Sequence, residues 1–376
     1  MADTTKKGGS DKGQNSRGKL LSFGNLLKLP ATLGTVRSFI DAVNWNAAED
    51  DIQSELKRKI VITGLANSGK STLFNKIQGR YRSTVSSTEG TTVAPVRGAF
   101  GPFVLIDTPG HLPDVQEESA RNAAVILMLI DATKGLRKED RDLFARLKST
   151  NRPIIIAMNK IDAIKGDPEY LSGTIAATLG IEDVIPISGM VGTNVAEDLM
   201  PALIEASPEA ALAIGRQLPM FRRQAAERLV RNAALISLAA GMEPLPLIDI
   251  PIILGNQIRM VLRIAAIYGE PLTAKYTREL ITAIASSLTM RYVAELAAKA
   301  VPFGGDLVSG AIAAASTWSI GWVAIEYFES DKKLSPNQIR SLFGQFYQRF
   351  RSTKDPKDAV KLIPPDATQQ GTVSGS

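Results

Sequence analysis

Residues 64–71 have the spacing G-x-x-x-x-G-K-S, which is typical of a loop that binds phosphate. Glycines let such a backbone wrap an anion and point its N–H groups inward, at the positive end of a helix. We expect Lys70 to reach the β- and γ-phosphates and to act in catalysis, and the Ser71 hydroxyl to ligate Mg²⁺. The predicted nucleotide contacts of this loop are Asn67, Ser68, Gly69, Lys70, Ser71 and Thr72.

A second phosphate motif follows an apolar run at residues 104–106. It reads Asp-Thr-Pro-Gly, and its carboxylate, Asp107, can hold the Mg²⁺ shell while the Gly110 N–H meets the γ-phosphate. Residues 87–92, which precede that run, form a loop that could close over Mg²⁺ and phosphate. These positions extend the predicted phosphate site beyond the first loop.

A third group of motifs suits a nucleotide base. The apolar run 155–158 ends in Asn159, Lys160, Ile161 and Asp162. A carboxylate at Asp162 can accept from both N1–H and the 2-amino group of guanine, whereas adenine offers no such pair. This pattern predicts that the chain selects GTP over ATP. Ser188 and Gly189 come last, where a backbone amide can contact the guanine oxygen.

These motifs need a sheet that brings several strand ends to one edge. Strand and helix patterns alternate from residue 59 to about residue 207, which predicts an α/β domain with a mostly parallel sheet and helices on both faces. Ligands in such sheets bind beyond the carboxyl ends of the strands. The predicted strands are 60–63, 91–97, 103–106, 124–130, 153–158 and 184–187, and the predicted later helices are 139–147, 168–179 and 196–205.

The flanking segments differ in composition from this domain. Polar residues predict disordered tails at 1–19 and 351–376, with no signal peptide visible in the first of them. Residues 20–58 are predicted to be an N-terminal helical extension, and residues 59–206 the α/β domain. Pro208 and an alanine-rich stretch suggest a boundary, after which residues 207–350 are predicted to be all-α. The long helices expected there are 222–242, 249–266, 276–301, 307–328 and 337–349.

Some of these segments could meet a membrane. Residues 20–29 are apolar with basic neighbours, and such a helix could lie on a membrane surface or pack back on the protein. Residues 307–325 carry no charge and would form a helix about 28 Å long, close to the ~30 Å hydrocarbon core. Gly310 and Ala314 would let a neighbouring helix approach closely. A buried bundle helix is the alternative, because this stretch is rich in alanine and serine.

Composition limits the remaining function classes. The 376 residues, 44% hydrophobic, are enough for two or three domains. The absence of cysteine excludes disulfides and thiolate metal sites, and a single histidine argues against a zinc site. The net charge of +6 suits RNA or an anionic membrane, or has no functional meaning.

The motifs within residues 59–205 resemble those of the translation-factor-related GTPases, and specifically the Era/TrmE-like branch. The resemblance implies a P-loop GTPase domain in which Thr92 binds Mg²⁺ and acts in catalysis, with Thr91 as the fallback. Asn67 stands where potassium-dependent members have a K⁺ ligand, although it could instead hydrogen-bond within the loop. His111 stands where translation-factor GTPases use histidine to position the attacking water, although an apolar residue is commoner in the Era/TrmE-like branch. Gly189 replaces the usual alanine.

Residues 222–330 resemble the uncharacterised helical domain that follows bacterial and cyanobacterial GTPase domains. The matching residues are Gly-Met-Glu-Pro-Leu-Pro-Leu-Ile-Asp at 241–249, with further matches at 257–261, 265–269 and 302–305. This resemblance implies membrane association in some relatives, but no known chemistry.

The sequence as a whole favours a GTP-binding and GTP-hydrolysing switch whose helical domain couples nucleotide state to a membrane. We expect Mg²⁺ and candidate K⁺ as cofactors, GTP or GDP and lipid as partners, a candidate homodimer through the GTPase domain, and a location at the cytoplasmic face of a membrane. The alternative is an Era-like GTPase of RNA or ribosome assembly. We expect no nucleic-acid partner, because no G-x-x-G loop of a KH domain follows residue 206. A third function class, a scaffold that binds GTP without useful turnover, stays an open alternative.

Overall fold

The computed structural model describes residues 45–81, 99–106, 120–242, 249–271, 280 and 305–351. Within them a six-stranded sheet has the order β2-β3-β1-β4-β5-β6, in which β2 is antiparallel to β3 and the other neighbours are parallel. The strands are β1 (Ile60–Gly64), β2 (Ala99–Phe100), β3 (Phe103–Leu105), β4 (Val125–Asp131), β5 (Ile154–Asn159) and β6 (Ile185–Ile187). The predicted α/β fold with a mostly parallel sheet is therefore confirmed. The predicted strand 91–97 lies outside the described residues, and β2 was not predicted.

Ten α-helices occur in the described part of the chain. They are α1 (Trp45–Lys57), α2 (Lys70–Tyr81), α3 (Lys138–Lys148), α4 (Pro168–Leu179), α5 (Met200–Ala206), α6 (Pro208–Gln217), α7 (Arg222–Gly241), α8 (Asp249–Ile267), α9 (Gly305–Glu329) and α10 (Pro336–Arg351). A π-helical turn, Val195–Leu199, leads into α5, and 3₁₀ turns cover Ile161–Ala163 and Pro219–Phe221. The segments 1–44 and 352–376 fall outside this part, and so does the predicted helix 276–301 except for residue 280.

The sheet is covered on both faces, so its central strands are mostly apolar. Successive side chains of a strand point to opposite faces. Val61 of β1 and Met128 of β4 belong to the core on the α3 and α4 side, whereas Ile62 and Leu127 belong to the core on the α2 and α5 side. This arrangement brings the carboxyl ends of β1, β4 and β5 to one edge of the sheet.

Residues 208–217 form a helix, α6, where the sequence suggested only a domain boundary. Pro208 occupies the first helical position, where its missing N–H is not needed. The Ser207 hydroxyl caps the helix by accepting from the Ala210 N–H at 3.0 Å, and it donates to the Ala124 carbonyl oxygen at 3.1 Å. The alanine-rich stretch is thus a buried helix that joins the sheet to the helical region through one continuous core.

The N-terminal helix α1 docks on α6 and α8. Glu55 is 6% exposed and accepts hydrogen bonds from Arg259 and from Arg263, the latter at 2.8 Å. Burial alone would raise the pKa of Glu55, but the hydrogen bonds and charges of Arg263 and Arg259 hold it below its ordinary value. Because the folded-state pKa is lowered, this contact stabilises the fold above the ordinary carboxyl pKa and is lost as the pH falls through the folded value.

Helix α9 is buried because α7, α8 and α10 surround it. This explains why residues 307–325 lack a polar face: they form the central helix of a bundle. One side of α9 carries Trp318, whose ring lies 5.6 Å from that of Phe350 on α10. Across residues 45–351, as far as they are described, no helix combines the length and hydropathy that a membrane span needs.

Small residues let α7 and α9 approach each other closely, as the sequence predicted for Gly310. A Cβ added at Gly241 of α7 would lie 2.8 Å from the Gly310 Cα. A Cβ at Gly321 would lie 2.3 Å from Cγ2 of Val230, a branched side chain with little room to move. The helix pair therefore tolerates no larger residue at these positions without moving apart.

Gly321→Ala should destabilise the chain by about 1–3 kcal/mol, because it overpacks the contact with Val230. The matched control is Gly344→Ala on α10, where an added Cβ would meet nothing within 4 Å. Helix propensity alone should make that control neutral or up to about 1 kcal/mol more stable. Urea unfolding measures both free energies, and equal effects would contradict the close contact between α7 and α9.

Candidate functional site

The glycine-rich loop connects β1 to α2 at the carboxyl edge of the sheet. Gly64 and Gly69 have φ values of 144° and 90°, and a Cβ at Gly64 would lie 2.4 Å from the Leu129 carbonyl oxygen of β4. Glycine is therefore required where the loop passes β4. Asn67 is also left-handed, with φ of 64°, a conformation that asparagine tolerates better than most residues.

Lys70 is the first residue of α2 and is 5% exposed. Its ammonium donates to the carbonyl oxygens of Gly64 and Leu65, each at 3.0 Å, so the charge lies within the loop. The Ser68 hydroxyl is buried and has no hydrogen-bond partner among the described residues. Such an orphaned group fits a loop that takes a phosphate oxygen as its partner. Ser71 and Thr72 are exposed in the first turn of α2, where their hydroxyls can serve as oxygen ligands.

Asn159, at the end of β5, joins the loop to a second turn. It is 2% exposed, its Nδ2 donates to the Ser68 carbonyl oxygen at 2.9 Å, and its Oδ1 accepts from the Gly189 N–H at 2.8 Å. A Cβ at Gly69 would lie 2.2 Å from this Nδ2, so glycine at 69 makes room for the bridge. One buried amide thereby fixes the spacing between the two turns.

Asp162 lies beside the second turn and is exposed. The fully buried Ser188 hydroxyl donates to the Asp162 Oδ1 and accepts from the Val191 N–H at 3.0 Å. This contact orients the carboxylate that the sequence analysis assigned to the guanine edge. The Asn159–Lys160–Asp162 and Ser188–Gly189 motifs therefore meet at the carboxyl ends of the neighbouring strands β5 and β6.

Sequence reasoning missed Asp131, the last residue of β4. It is 1% exposed, its Oδ1 accepts from the Thr133 N–H at 3.0 Å, and its Oδ2 pairs with the Lys160 ammonium at 2.7 Å. Burial works against the charged form, but the hydrogen bonds from Lys160 and Thr133 lower the pKa of Asp131. The signal that pointed to Asp107, a carboxylate directly after an apolar strand, could have identified Asp131 as well.

Four predicted positions lie outside the described residues. They are Thr92, with its fallback Thr91, and Asp107, Gly110 and His111. The structure therefore describes the predicted phosphate loop and the turns predicted to bind the base, together with Ser71 as one of the three predicted Mg²⁺ ligands.

Two family models match this chain. Residues 59–160 match a model described as a 50S ribosome-binding GTPase, and residues 207–352 match a domain of unknown function, DUF697. The chain is 32% identical over 202 residues to the GTPase Der of Syntrophotalea carbinolica, a match that covers 50% of this chain and 45% of that protein. It is 30% identical over 171 residues to the GTPase Era of Aquifex aeolicus, covering 40% and 56%.

The chain carries a GTPase domain related to Der and Era, followed by a DUF697 domain. It spans about half the length of these curated relatives. A crystal structure of an Aquifex aeolicus Era variant bound to GDP and aluminium fluoride matches at 26% identity and a TM-score of 0.31, covering 48% of this chain and 67% of that one.

Gly189 stands where the resemblance leads us to expect alanine, and its surroundings are tightly packed. A Cβ at Gly189 would lie 3.1 Å from the Leu73 Cα and 3.2 Å from the Asn159 Oδ1. Glycine thus lets the turn approach α2 closely while its N–H still donates to Asn159.

Asp131→Asn should weaken GTP and GDP binding to the GTPase domain about five- to tenfold, about 1 kcal/mol, because Lys160 loses its partner. Lys160 has φ of 73°, and its Cε lies 3.8 Å from the position of a Cβ on Gly69, so its stem runs along the phosphate loop. Turnover at saturating GTP should change little, because Asp131 acts through Lys160 on binding. Equilibrium titration measures this, with Asp142→Asn on the exposed side of α3 as control. An unchanged affinity would show that the ion pair is only structural.

Proposed function

We propose that this chain binds GTP and hydrolyses it to GDP and phosphate, and that it works as a switch. The supporting observation is the buried Asn159 side chain, which bonds the phosphate loop at Ser68 and the base-binding turn at Gly189. Two half-sites at one fixed spacing suit a single ligand with a base and phosphates. Phosphate release by the full chain tests the proposal: GTP should be hydrolysed and ATP should not. No release from either nucleotide would contradict it and leave a GTP-binding scaffold.

Lys70 and the loop N–H groups bind the phosphates and neutralise the charge that develops on the transferred group. The two carbonyl oxygens that hold the ammonium fix its position before the ligand arrives. Ser71, Thr92 and Asp107 are the proposed Mg²⁺ ligands, and the exposed Ser71 hydroxyl fits that role. When bound, Mg²⁺ supplies positive charge to the β- and γ-phosphate oxygens. The Gly110 N–H is the proposed further contact to the γ-phosphate.

His111 is the proposed residue that positions the attacking water, on its place directly after the Asp-Thr-Pro-Gly motif. His111→Ala should lower turnover at least about tenfold, which is about 1.4 kcal/mol of barrier, with little change in GTP affinity. Turnover at the wild-type rate in this variant would show that the side chain points away from the water.

Potassium is the second proposed cation, with Asn67 as its ligand, and homodimerisation through the GTPase domain belongs to the same proposal. A monovalent cation could supply the charge that an arginine finger supplies in other GTPases. Hydrolysis should then run faster in KCl than in NaCl. Asn67→Gly is the informative variant, because glycine keeps the left-handed backbone at 67 without strain and removes only the side-chain oxygen. If the variant keeps the difference between the two salts, the left-handed turn alone explains the asparagine.

We also propose that the DUF697 domain attaches to a membrane surface and thereby couples the nucleotide state to it. Leu235 and Ile236 of α7, Met242 directly after α7, and Ile252 of α8 are large apolar side chains between 41% and 44% exposed. They lie towards the end of the pair where α7 finishes and α8 begins. Asn256 of α8 donates to the Ala233 carbonyl oxygen of α7 at 2.7 Å, and Ile252 lies one helical turn before Asn256, nearer the start of α8. Clustered exposed apolar side chains are typical of an interaction surface.

Flotation of the full chain with anionic liposomes tests this surface. A double variant, Ile236→Glu with Ile252→Glu, should stay at the bottom of the gradient, because charged side chains are costly in the apolar layer. Met220→Glu is the matched control, since Met220 is 57% exposed at the other end of α7. Wild type that does not float would exclude the membrane role. Cosedimentation with ribosomes instead would favour the ribosome binding named in the description of the matching GTPase family.

A further inference from the structure

A polar cavity lies where α1, the turn between β2 and β3, α6 and α8 meet. Its volume is about 170 Å³, room for a small ligand and a few waters. The β2–β3 turn, Gly101 and Pro102, forms one wall, at the amino end of β3. The phosphate loop follows the carboxyl end of β1, which is parallel to β3. The cavity is therefore at the opposite edge of the sheet from the GTP site.

The charges around this cavity do not balance. Lys59 and Arg216 line it, and Glu270 is its only lining carboxylate among the described residues. Glu270 is already paired, because its Oε2 lies 2.6 Å from the Lys332 ammonium. The two positive side chains that line the space thus share one lining carboxylate, and that carboxylate is already paired with Lys332.

The contacts of these cations position them without neutralising them. The Arg216 Nη1 donates to the Ala266 carbonyl oxygen at 2.9 Å, and the Lys59 ammonium donates to the Gly101 carbonyl oxygen at 3.2 Å. Burial and the nearby positive charge of Arg222 lower the pKa of Arg216, against the effect of Glu270. The Arg222 Nε is itself buried with no partner in the described part of the chain. An anion would relieve this accumulation of positive charge.

We propose that this cavity binds a phosphate group, either free or carried by a small soluble molecule. A guanidinium fork and an ammonium match the several oxygens and the double charge of phosphate. Gln53 and Gln217 add amide groups that can donate to the same anion. Lys59 belongs to the GTPase domain and Arg216 to the DUF697 domain, so the bound anion would bridge the two.

Calorimetric titration of the full chain with inorganic phosphate tests this site, with GDP at saturation so that the phosphate loop is filled. One equivalent should bind. Arg216→Gln and Lys59→Gln should each weaken binding at least about tenfold, the effect expected for loss of a charge-assisted hydrogen bond. Arg58→Gln is the matched control, because Arg58 lies next to Lys59 in sequence but pairs with Glu209 at 3.9 Å. Because Arg216→Gln and Lys59→Gln are tested separately, misfolding of one variant leaves the other as a test of the site.

The other outcomes each overturn the proposal. No binding by the GDP-saturated wild type would do so, and so would binding that survives both variants. Glycerol phosphate should compete while acetate should not, and binding only to vesicles that contain phosphatidate would indicate a lipid headgroup instead. The Lys70→Ala variant, tested without GDP, should keep phosphate binding at the cavity while its binding of GTP is weakened. The cavity and the proposed GTPase function can therefore fail independently.

Discussion

Asp162→Asn should reverse the base preference of the GTPase domain from guanine to xanthine. The Ser188 hydroxyl donates to Oδ1 of residue 162, and it can keep that bond to an amide oxygen, which leaves Nδ2 to face the base. The amide then donates where the carboxylate accepted, and it meets the 2-oxo group of xanthine instead of the 2-amino group of guanine. GTP affinity should fall at least about a hundredfold, because sites built on buried hydrogen bonds reject ligands that leave them unpaired.

Competition binding with GTP and xanthosine triphosphate measures this reversal. Asp167→Asn is the control, because the Asp167 side chain caps α4 by accepting from the Glu169 N–H at 3.0 Å, and asparagine caps equally well. Wild-type GTP affinity in Asp162→Asn would remove Asp162 from the base site.

Lys70→Ala should reduce GTP turnover by about a hundredfold to a thousandfold and weaken GTP binding. Lys70 is 5% exposed, and among the described residues no other side chain is assigned to neutralise the phosphate charge. Removing one preorganised donor from a site of developing negative charge costs about 10²–10³ in rate. The loss should appear in single-turnover hydrolysis, which excludes product release as its cause.

Lys76→Ala is the control for this variant, since Lys76 lies on the same helix two turns from the loop. Its turnover should match that of the wild type. Unfolding of Lys70→Ala should be measured in parallel, because Lys70 also bonds the Gly64 and Leu65 carbonyl oxygens. Normal turnover by a folded Lys70→Ala chain would refute the catalytic assignment.

The parallel sheet and its ligand-binding edge were predictable because their signals are local. Apolar runs predicted five of the six strands, and each predicted motif follows the strand that presents it. Parallel pairing then brings Asn159 of β5 to the same edge as the loop after β1, although the two are far apart in sequence. Local sequence pattern and the geometry of a parallel sheet were together sufficient to predict this edge.

Contacts between distant elements were not predictable in this way. Glu55 of α1 meets Arg259 and Arg263 of α8, and no local pattern connects an acidic residue of the first helix with those arginines. Asp131 was overlooked because it ends its strand without belonging to a named motif, and its partner Lys160 was assigned to the base alone. Both cases depend on which elements become neighbours in the fold.

The low charge of residues 307–325 could not by itself distinguish a membrane span from a bundle core. A helix that is apolar all round is buried in either environment. Only the elements packed against the helix distinguish a bundle core from a membrane span. Here α7, α8 and α10 surround α9, and Gly321 lies against Val230. The sequence cue that favoured the bundle was the content of small and hydroxyl-bearing residues, one of which, Thr317, donates to the Ser237 hydroxyl at 2.8 Å.

Equilibrium binding of GTP and ATP to the purified wild-type chain tests the central claim most directly. The arrangement of Asn159, Asp162 and Ser188 predicts that GTP and GDP bind while ATP binds at least about a hundredfold more weakly, because adenine cannot satisfy the Asp162 carboxylate. Equal affinities for GTP and ATP would contradict the account.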